Sequence, residues 1–86
     1  MENSKTIIGI CIKERLKDAS KLQAIFTKYG CNIKTRLGLH DAHENVCSGT
    51  GVVLLELIGI QDELLAFENS LKEIDGIEFQ KMFFKY

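Results

Sequence analysis

Proline is absent from the 86 residues, and no low-complexity segment or linker divides them. The chain also lacks any run of about 18 apolar residues, which excludes a membrane-spanning helix. MENSKTIIGICIKERL has neither the length nor the cleavage pattern of a signal peptide. Cysteine is sparse: three residues, an odd number without a CxxC pair, do not make a disulfide framework. A cytoplasmic protein with reduced thiols is expected. Positive charge is not concentrated anywhere. The formal net charge is −1 and the lysines are scattered, so no surface is built to neutralise phosphates and direct DNA binding is not expected.

What remains is an ordinary globular composition, 45% hydrophobic and 27% charged, which argues against disorder. Residues 1–86 are read as a single domain. A chain of this size buries only a little over roughly 60% of its unfolded surface, so association with a second copy would add stability.

Residues 5–13 (KTIIGICIK) form a strand apolar on both faces, with Ile8, Ile10 and Ile12 on one and Ile7, Gly9 and Cys11 on the other. Residues 15–29 form an amphipathic helix carrying Leu16, Ala19, Leu22, Ile25, Phe26 and Tyr29 on its apolar side. Gly30 follows as a left-handed stop. Residues 31–40 alternate: Ile33, Thr35, Leu37 and Leu39 make one face, while Asn32, Lys34, Arg36, Gly38 and His40 make the other. This pattern suits a half-buried edge strand. Residues 41–51 break it and read as a long connection ending in the turn chemistry of Ser48, Gly49, Thr50 and Gly51. Residues 52–59 are a second doubly apolar strand, with Val53, Leu55 and Leu57 opposite Val52, Leu54, Glu56 and Ile58. A second helix spans 61–75, with Leu64, Phe67, Leu71 and Ile74 as its stripe and Gly76 at its end. Residues 77–86 close the chain as a strand with Ile77, Phe79 and Phe83 on one face.

The order βαββαβ is the split βαβ, an α+β ferredoxin-like sandwich. Right-handed crossovers place both helices on one face of a four-stranded antiparallel sheet. The first and third strands, apolar on both sides, belong in its middle. The face without helices then presents Val52, Leu54, Ile58 and one row of the first strand. A patch of that extent marks an interface, and the economical occupant is a second copy packed sheet against sheet.

RLGLHDAHENVCSGTGVVLLEL, followed by a helix and IDGIEFQKMFF, resembles the iron-only hydrogenase system regulators. That family is similar to ACT domains and to the metal-sensing C-terminal domain of the nickel-responsive repressor. Arg36-Leu37-Gly38 and the glycine-bearing turn into Val52 carry the resemblance, which spans nearly the whole chain. It implies a regulatory or sensing module, oligomeric and without a catalytic set. Two departures qualify it. The turn Lys13-Glu14-Arg15-Leu16-Lys17 lacks the glycine that amino-acid-binding ACT domains often carry there, which argues against that manner of binding. The nickel sensor places histidines and a cysteine around its second and third strands; His40, His43 and Cys47 lie in the corresponding region at a different spacing. The sensor's separate DNA-binding segment has no counterpart in this chain.

Chemistry-bearing residues gather in Arg36–Gly51, which holds both histidines and one of the three cysteines. His40, His43 and Cys47 are borderline-soft ligands suited to a transition-metal ion, with Asp41 and Glu44 as supplementary oxygens. The HxxHxxxC spacing matches no strong zinc pattern, and a solvated polar loop is the plainer reading. Ser48–Gly51 could cradle an anion, or simply turn the chain. Arg36, Gly38 and His40 share a strand face, where a guanidinium can bind carboxylate or phosphate; a solvated edge is the alternative. Glu56 stands alone in an apolar strand and needs a partner, for which Arg36 or Lys34 is expected. Cys11 and Cys31 read as packing residues. Cys47 is the only loop thiol, and no catalytic triad is present. The expected function is a ligand-sensing regulatory homo-oligomer, not an enzyme, with an unknown small molecule or protein as partner. A metal-responsive module using His40–Cys47 is the alternative, and a small oligomeric enzyme the third.

Overall fold

A computed structural model describes residues 3–13, 19–43 and 46–86; the side chains of residues 40–43 and 46–50 lie outside that description. The elements are β1 (Ser4–Ile12), α1 (Ala19–Lys28), a 3-10 turn (Gly30–Asn32), β2 (Ile33–His43), β3 (Val46–Leu57), α2 (Gln61–Lys72) and β4 (Ile77–Lys85). The sheet order is β2-β3-β1-β4, and every neighbouring pair is antiparallel. This is the ferredoxin-like α+β arrangement, with the two doubly apolar strands at its centre.

Alternation along the central strands decides which side faces the helices. Ile8 and Ile10 of β1 and Leu55 and Leu57 of β3 are buried with Leu22 and Phe26 of α1 and Leu64, Phe67 and Leu71 of α2. Complete burial of a Leu, Ile or Phe side chain is worth about 1.5–3 kcal/mol, so Ile8, Ile10, Leu55, Phe67 and Leu71 dominate the stability. Tyr29 packs its ring edge-on to Phe67 at 5.3 Å. Lys81 of β4 reaches across the helix side to the buried Glu68 of α2, 3.3 Å from Oε1, which neutralises a carboxylate that burial would otherwise penalise.

Three expectations need correction. Gly30 is not a left-handed stop: positive φ among the glycines described belongs to Gly59 and Gly76. The chain leaves α1 through a 3-10 turn instead, in which Asn32 N–H donates to the Tyr29 carbonyl. Gly76, with φ of 90°, does make the turn after α2. The proposed start of the first helix at Arg15 or Asp18 falls outside the described residues.

The expected long connection is also replaced by strand. β2 continues to His43 and β3 begins at Val46, so the paired backbones leave only residues 44 and 45 between them. Turn-forming residue types at 48–51 suggested a loop; the ladder instead pairs Gly51 with His40 and Cys47 with Ala42, and residues 48–50 form an irregularity of β3 between those pairs. Because β1 ends at Ile12 opposite Gly51, the ribbon continues past the four-stranded body. The molecule accordingly extends 49 Å along its long axis against 25 and 18 Å across.

The third correction concerns β2. Ile33 pairs with Leu57 but Thr35 pairs with Glu56, leaving Lys34 as one extra residue. Such a bulge reverses the facing of everything beyond it. Ile33 therefore packs on the helix-side core, while Thr35, Leu37 and Leu39 share the open side with Glu56, Leu54 and Val52. The four residues expected on one face are divided between two.

Candidate functional site

Two surfaces carry the residues singled out in the sequence. The first is the open side of the sheet. Pairing aligns Leu37 with Leu54, Gly9 with Leu54, Ile7 with Met82 and Lys5 with Phe84. Leu37, Leu39, Met82 and Phe84 are each about half exposed, at 52%, 48%, 47% and 52%. Val52, Leu54, Ile7 and Cys11 lie between them, half-buried. No helix covers this apolar field among the described residues.

One charged cluster interrupts it. Glu56 accepts a hydrogen bond from Thr35 Oγ1 at 3.0 Å, with Lys5 Nζ at 3.3 Å and Lys34 Nζ at 3.9 Å from its other oxygen. The Thr35 bond chiefly holds the carboxyl below its ordinary value. The bond and charge of Lys5 and the charge of Lys34 add to that effect, against partial desolvation. The expected pairing is thus half right: Lys34 takes part and Arg36 does not. The bulge is the reason, since it turns Arg36 away from Glu56. Lys5 and Thr35 were missed because their proximity depends on strand order and on the bulge, neither of which is written in local periodicity.

The second surface is the opposite side of β2. Arg36 is aligned with the core residue Leu55, and its guanidinium lies 4.8 Å from the centre of the Phe26 ring on α1. Gly38, exposed, follows opposite Val53, and His40 is placed opposite Gly51. Arg36 and Gly38 therefore lie on the helix side at the sheet's edge, not on the open side that the expected Arg36–Glu56 pairing required, and the backbone of His40 follows them along the ladder. Of the expected metal ligands, the backbone pairing sets Ala42 opposite Cys47 and His43 opposite Val46. The side chains of His40, His43 and Cys47 lie outside the described residues. Elsewhere among the described residues no group of His, Cys, Asp and Glu is placed to hold a metal. Cys11 is half-buried on the open side, and Cys31 is exposed rather than packed.

A polar corner that the sequence reading did not identify fixes the entrance to α2. The buried Asn32 donates through Nδ2 to the Ile58 carbonyl at 3.1 Å and to Glu63 Oε1 at 3.3 Å. Ile58 N–H donates back to the Asn32 carbonyl at 2.8 Å. Glu63, three residues into the helix, also accepts from the Ile60 N–H at 3.3 Å. The reach of Glu63 back to Asn32 spans 31 residues of chain, so no local pattern discloses it.

No helix among the described residues is long and apolar enough to cross a membrane. No protein-family model matches the chain, and no curated protein matches it. Solved structures do. An uncharacterized protein of Thermotoga maritima superposes with a TM-score of 0.74 at 18% identity, covering 95% of this chain and 96% of that one. The ACT domain of a GTP pyrophosphokinase of Chlorobium tepidum gives 0.63 at 16%, covering 91% and 96%. A nitrogen regulatory PII-like protein of Thiomonas intermedia, bound to ADP, AMP and acetate, gives 0.55 at 3%, covering 100% and 91%. At these identities the likeness is one of fold, and the fold is ACT-like.

Proposed function

We propose that the protein is a small-ligand-sensing regulatory module that works as a homo-oligomer, two copies packing open sheet face on open sheet face. The observation that carries this is the uncovered apolar field of Leu37, Leu39, Val52, Leu54, Met82 and Phe84, larger than scattered surface hydrophobics produce. Sheets packed in this way bury alternate residues from both inner faces at about 10 Å separation. The Glu56 cluster is already internally neutralised in part, so a partner can cover it without stranding a bare carboxylate. The ACT-like fold and the resemblance to iron-only hydrogenase system regulators support a sensing role rather than catalysis.

Arg36 is the residue we assign to ligand recognition, with Gly38 leaving the strand surface open beside it and His40 next in the row. A guanidinium held over the Phe26 ring keeps donor groups for a carboxylate or phosphate. Because the PII-like neighbour holds adenine nucleotides and acetate, those are the first probes. The experiment has two arms. Sedimentation should show more than a monomer, and Leu54→Glu should lower the assembly state while circular dichroism stays unchanged; a strict monomer sinks the interface. Calorimetric titration with adenine nucleotides, amino acids and small carboxylates should show binding that Arg36→Ala removes.

A second reading is a metal-responsive ribbon. It is favoured by the β2–β3 ladder, which resumes beyond the irregularity between His40 and Ala42 and so includes His40, His43 and Cys47 in one two-stranded segment. Metal uptake lost in the His40→Ala, Cys47→Ala double variant would support it, and unchanged uptake would remove it.

A further inference from the structure

Gly9 stands at the middle of the open sheet face, in a central strand otherwise rich in large apolar residues. Its row runs Leu37, Leu54, Gly9, Gln80 across the four strands, with Ile7 and Cys11 before and after it on the same side of β1. Nothing within one copy requires glycine there. Its φ is not positive. A Cβ would meet one atom within 4 Å, the terminal Cδ2 of Leu54 at 3.4 Å, an ordinary contact with the far end of a flexible side chain. A glycine inside a strand weakens it, and such a residue marks a place where another backbone or a ligand comes close. Leu54 beside it is the converse, a large half-buried side chain on the same uncovered side. Together they make a knob next to a hole.

We infer that Gly9 is the seat for the Leu54 side chain of a second copy, and that this contact, made twice, sets how two copies recognise each other. The inference rests on the open-face assembly proposed above and fixes its orientation. Two copies can meet on this face about a two-fold axis lying along the strands or about one lying across them. An axis along the strands, between β1 and β3, lays β1 of one copy on β3 of the other and keeps residues at the same level. Leu54 of each copy then faces Gly9 of the other. The mutual rotation of packed sheets, about 30°, displaces these residues little because they lie next to the axis. The same axis brings Lys5 of each copy to the Glu56 end of the other's β3, and Lys34 to the Phe84 ring of the other's β4, both attractive. An axis across the strands at the level of Gly9 lays β1 on β1. Gly9 then meets Gly9 and leaves a void, while Lys5 meets Lys13, whose side chain lies on this side 3.8 Å from Glu78. The void and the like charges disfavour that orientation. Moving the axis toward either end uncovers part of the apolar field.

Exchanging size between the two positions tests this on the full chain. Gly9→Val places a good strand former in β1 and should leave the circular dichroism unchanged. Its dimer dissociation constant, from sedimentation, should rise about tenfold or more, as overfilling a packed contact does. Leu54→Ala should also weaken self-association, because the seat is left empty. Mixed together, the two variants should form a heterodimer tighter than either homodimer, counted by native mass spectrometry. The added side chain of one chain then lies over the shortened one of the other, and the remaining Gly9–Leu54 contact is unaltered. Gly9→Ala, whose single methyl the isolated copy accommodates, takes the place of Gly9→Val if the valine variant does not fold. If the Gly9 variants dimerise as tightly as the unsubstituted chain while Leu54→Glu dissociates it, the open face assembles but Gly9 is not the seat, and the inference is wrong. A mixture holding heterodimer only in the statistical proportion overturns it as well, since the two residues then do not meet. A monomer at every concentration of the unsubstituted chain removes the open-face assembly itself, and the seat with it.

Discussion

Arg36 of β2 lies with its guanidinium 4.8 Å from the centre of the Phe26 ring of α1, so the edge strand is tied to the helix layer by a cation over an aromatic face. With the cation exposed and the ring buried, such a pair contributes about 0.5–1 kcal/mol. Arg36→Ala should therefore lower the unfolding free energy by about that amount, read from urea titration, with the fold retained. Arg36→Lys should not restore it fully, because an ammonium lacks the planar surface that stacks. If Arg36 also recognises a ligand, Arg36→Ala abolishes binding while the melting temperature falls only a few degrees, roughly 4–8 °C per kcal/mol for a domain of this size. Loss of binding with full folding separates recognition from support.

The acid limb of the stability curve should depend on Glu56. Its folded-state carboxyl titrates below the ordinary value of 4.5, chiefly through the Thr35 hydroxyl bond and then through Lys5 and Lys34. The unfolded chain therefore takes up a proton first as pH falls. The stabilisation is fully present above the ordinary value and is lost as pH drops through the lower, folded one. Glu56→Gln should flatten the decline in unfolding free energy over that acid range and leave a protein whose stability responds less to salt. Thr35→Val should shift the decline to higher pH. Urea titrations at fixed protein concentration measure both, and an unchanged acid limb in Glu56→Gln would refute the assignment.

What the sequence could and could not disclose follows from the range of each interaction. The doubly apolar strands, the helical stripes and their order are local patterns, and they placed β1 and β3 at the centre and Ile8, Ile10, Leu55 and Phe67 in the core. The bulge at Lys34 is different. It inserts a residue into a row whose apolar members, Ile33, Leu37 and Leu39, keep even spacing, so alternation alone assigns them to one face. Thr35, the polar residue within that row, was the one local irregularity. The ribbon at 46–51 was hidden for a related reason: serine, glycine and threonine usually mark turns, and only the pairs Gly51–His40 and Cys47–Ala42 on either side of 48–50 reveal a strand there. Partners of Glu56 depend on strand order and on the bulge, so the charge was recognised as odd while two of its three neighbours, Lys5 and Thr35, were not.

Truncating the central ring of the core should be severe. Phe67 is fully buried and meets Tyr29 edge-on, and Tyr29 in turn lies 3.4 Å through its hydroxyl from Ser70 Oγ. Phe67→Ala removes the buried area and leaves a cavity, a loss of about 3–5 kcal/mol. Set against a typical stability of about 5–15 kcal/mol, this leaves little margin in a small domain. Phe67→Leu should cost much less. Thermal unfolding by circular dichroism should rank the proteins unsubstituted, Phe67→Leu, Phe67→Ala.

Two glycines at superficially similar turns should respond to alanine in opposite directions. Gly59 sits at φ of 128°, which L residues rarely adopt, and a Cβ there would collide with Asn32 Nδ2 and approach Glu63 Oε1 at 3.0 Å. Both atoms belong to the hydrogen-bonded corner that fixes the start of α2, so neither can yield without breaking a bond to the other or to the Ile58 carbonyl. Backbone strain of this kind costs about 1–3 kcal/mol, and the collision adds to it. Gly30 has no positive φ, and a Cβ there would meet nothing within 4 Å. Alanine at that position restricts the unfolded chain without straining the folded one, a gain of about 0.4–1 kcal/mol. Urea titration of the two variants should move the midpoint down for Gly59→Ala and up for Gly30→Ala, with the slope unchanged in both. A neutral Gly59→Ala would mean that the Asn32–Glu63 corner is not what holds the β3–α2 junction.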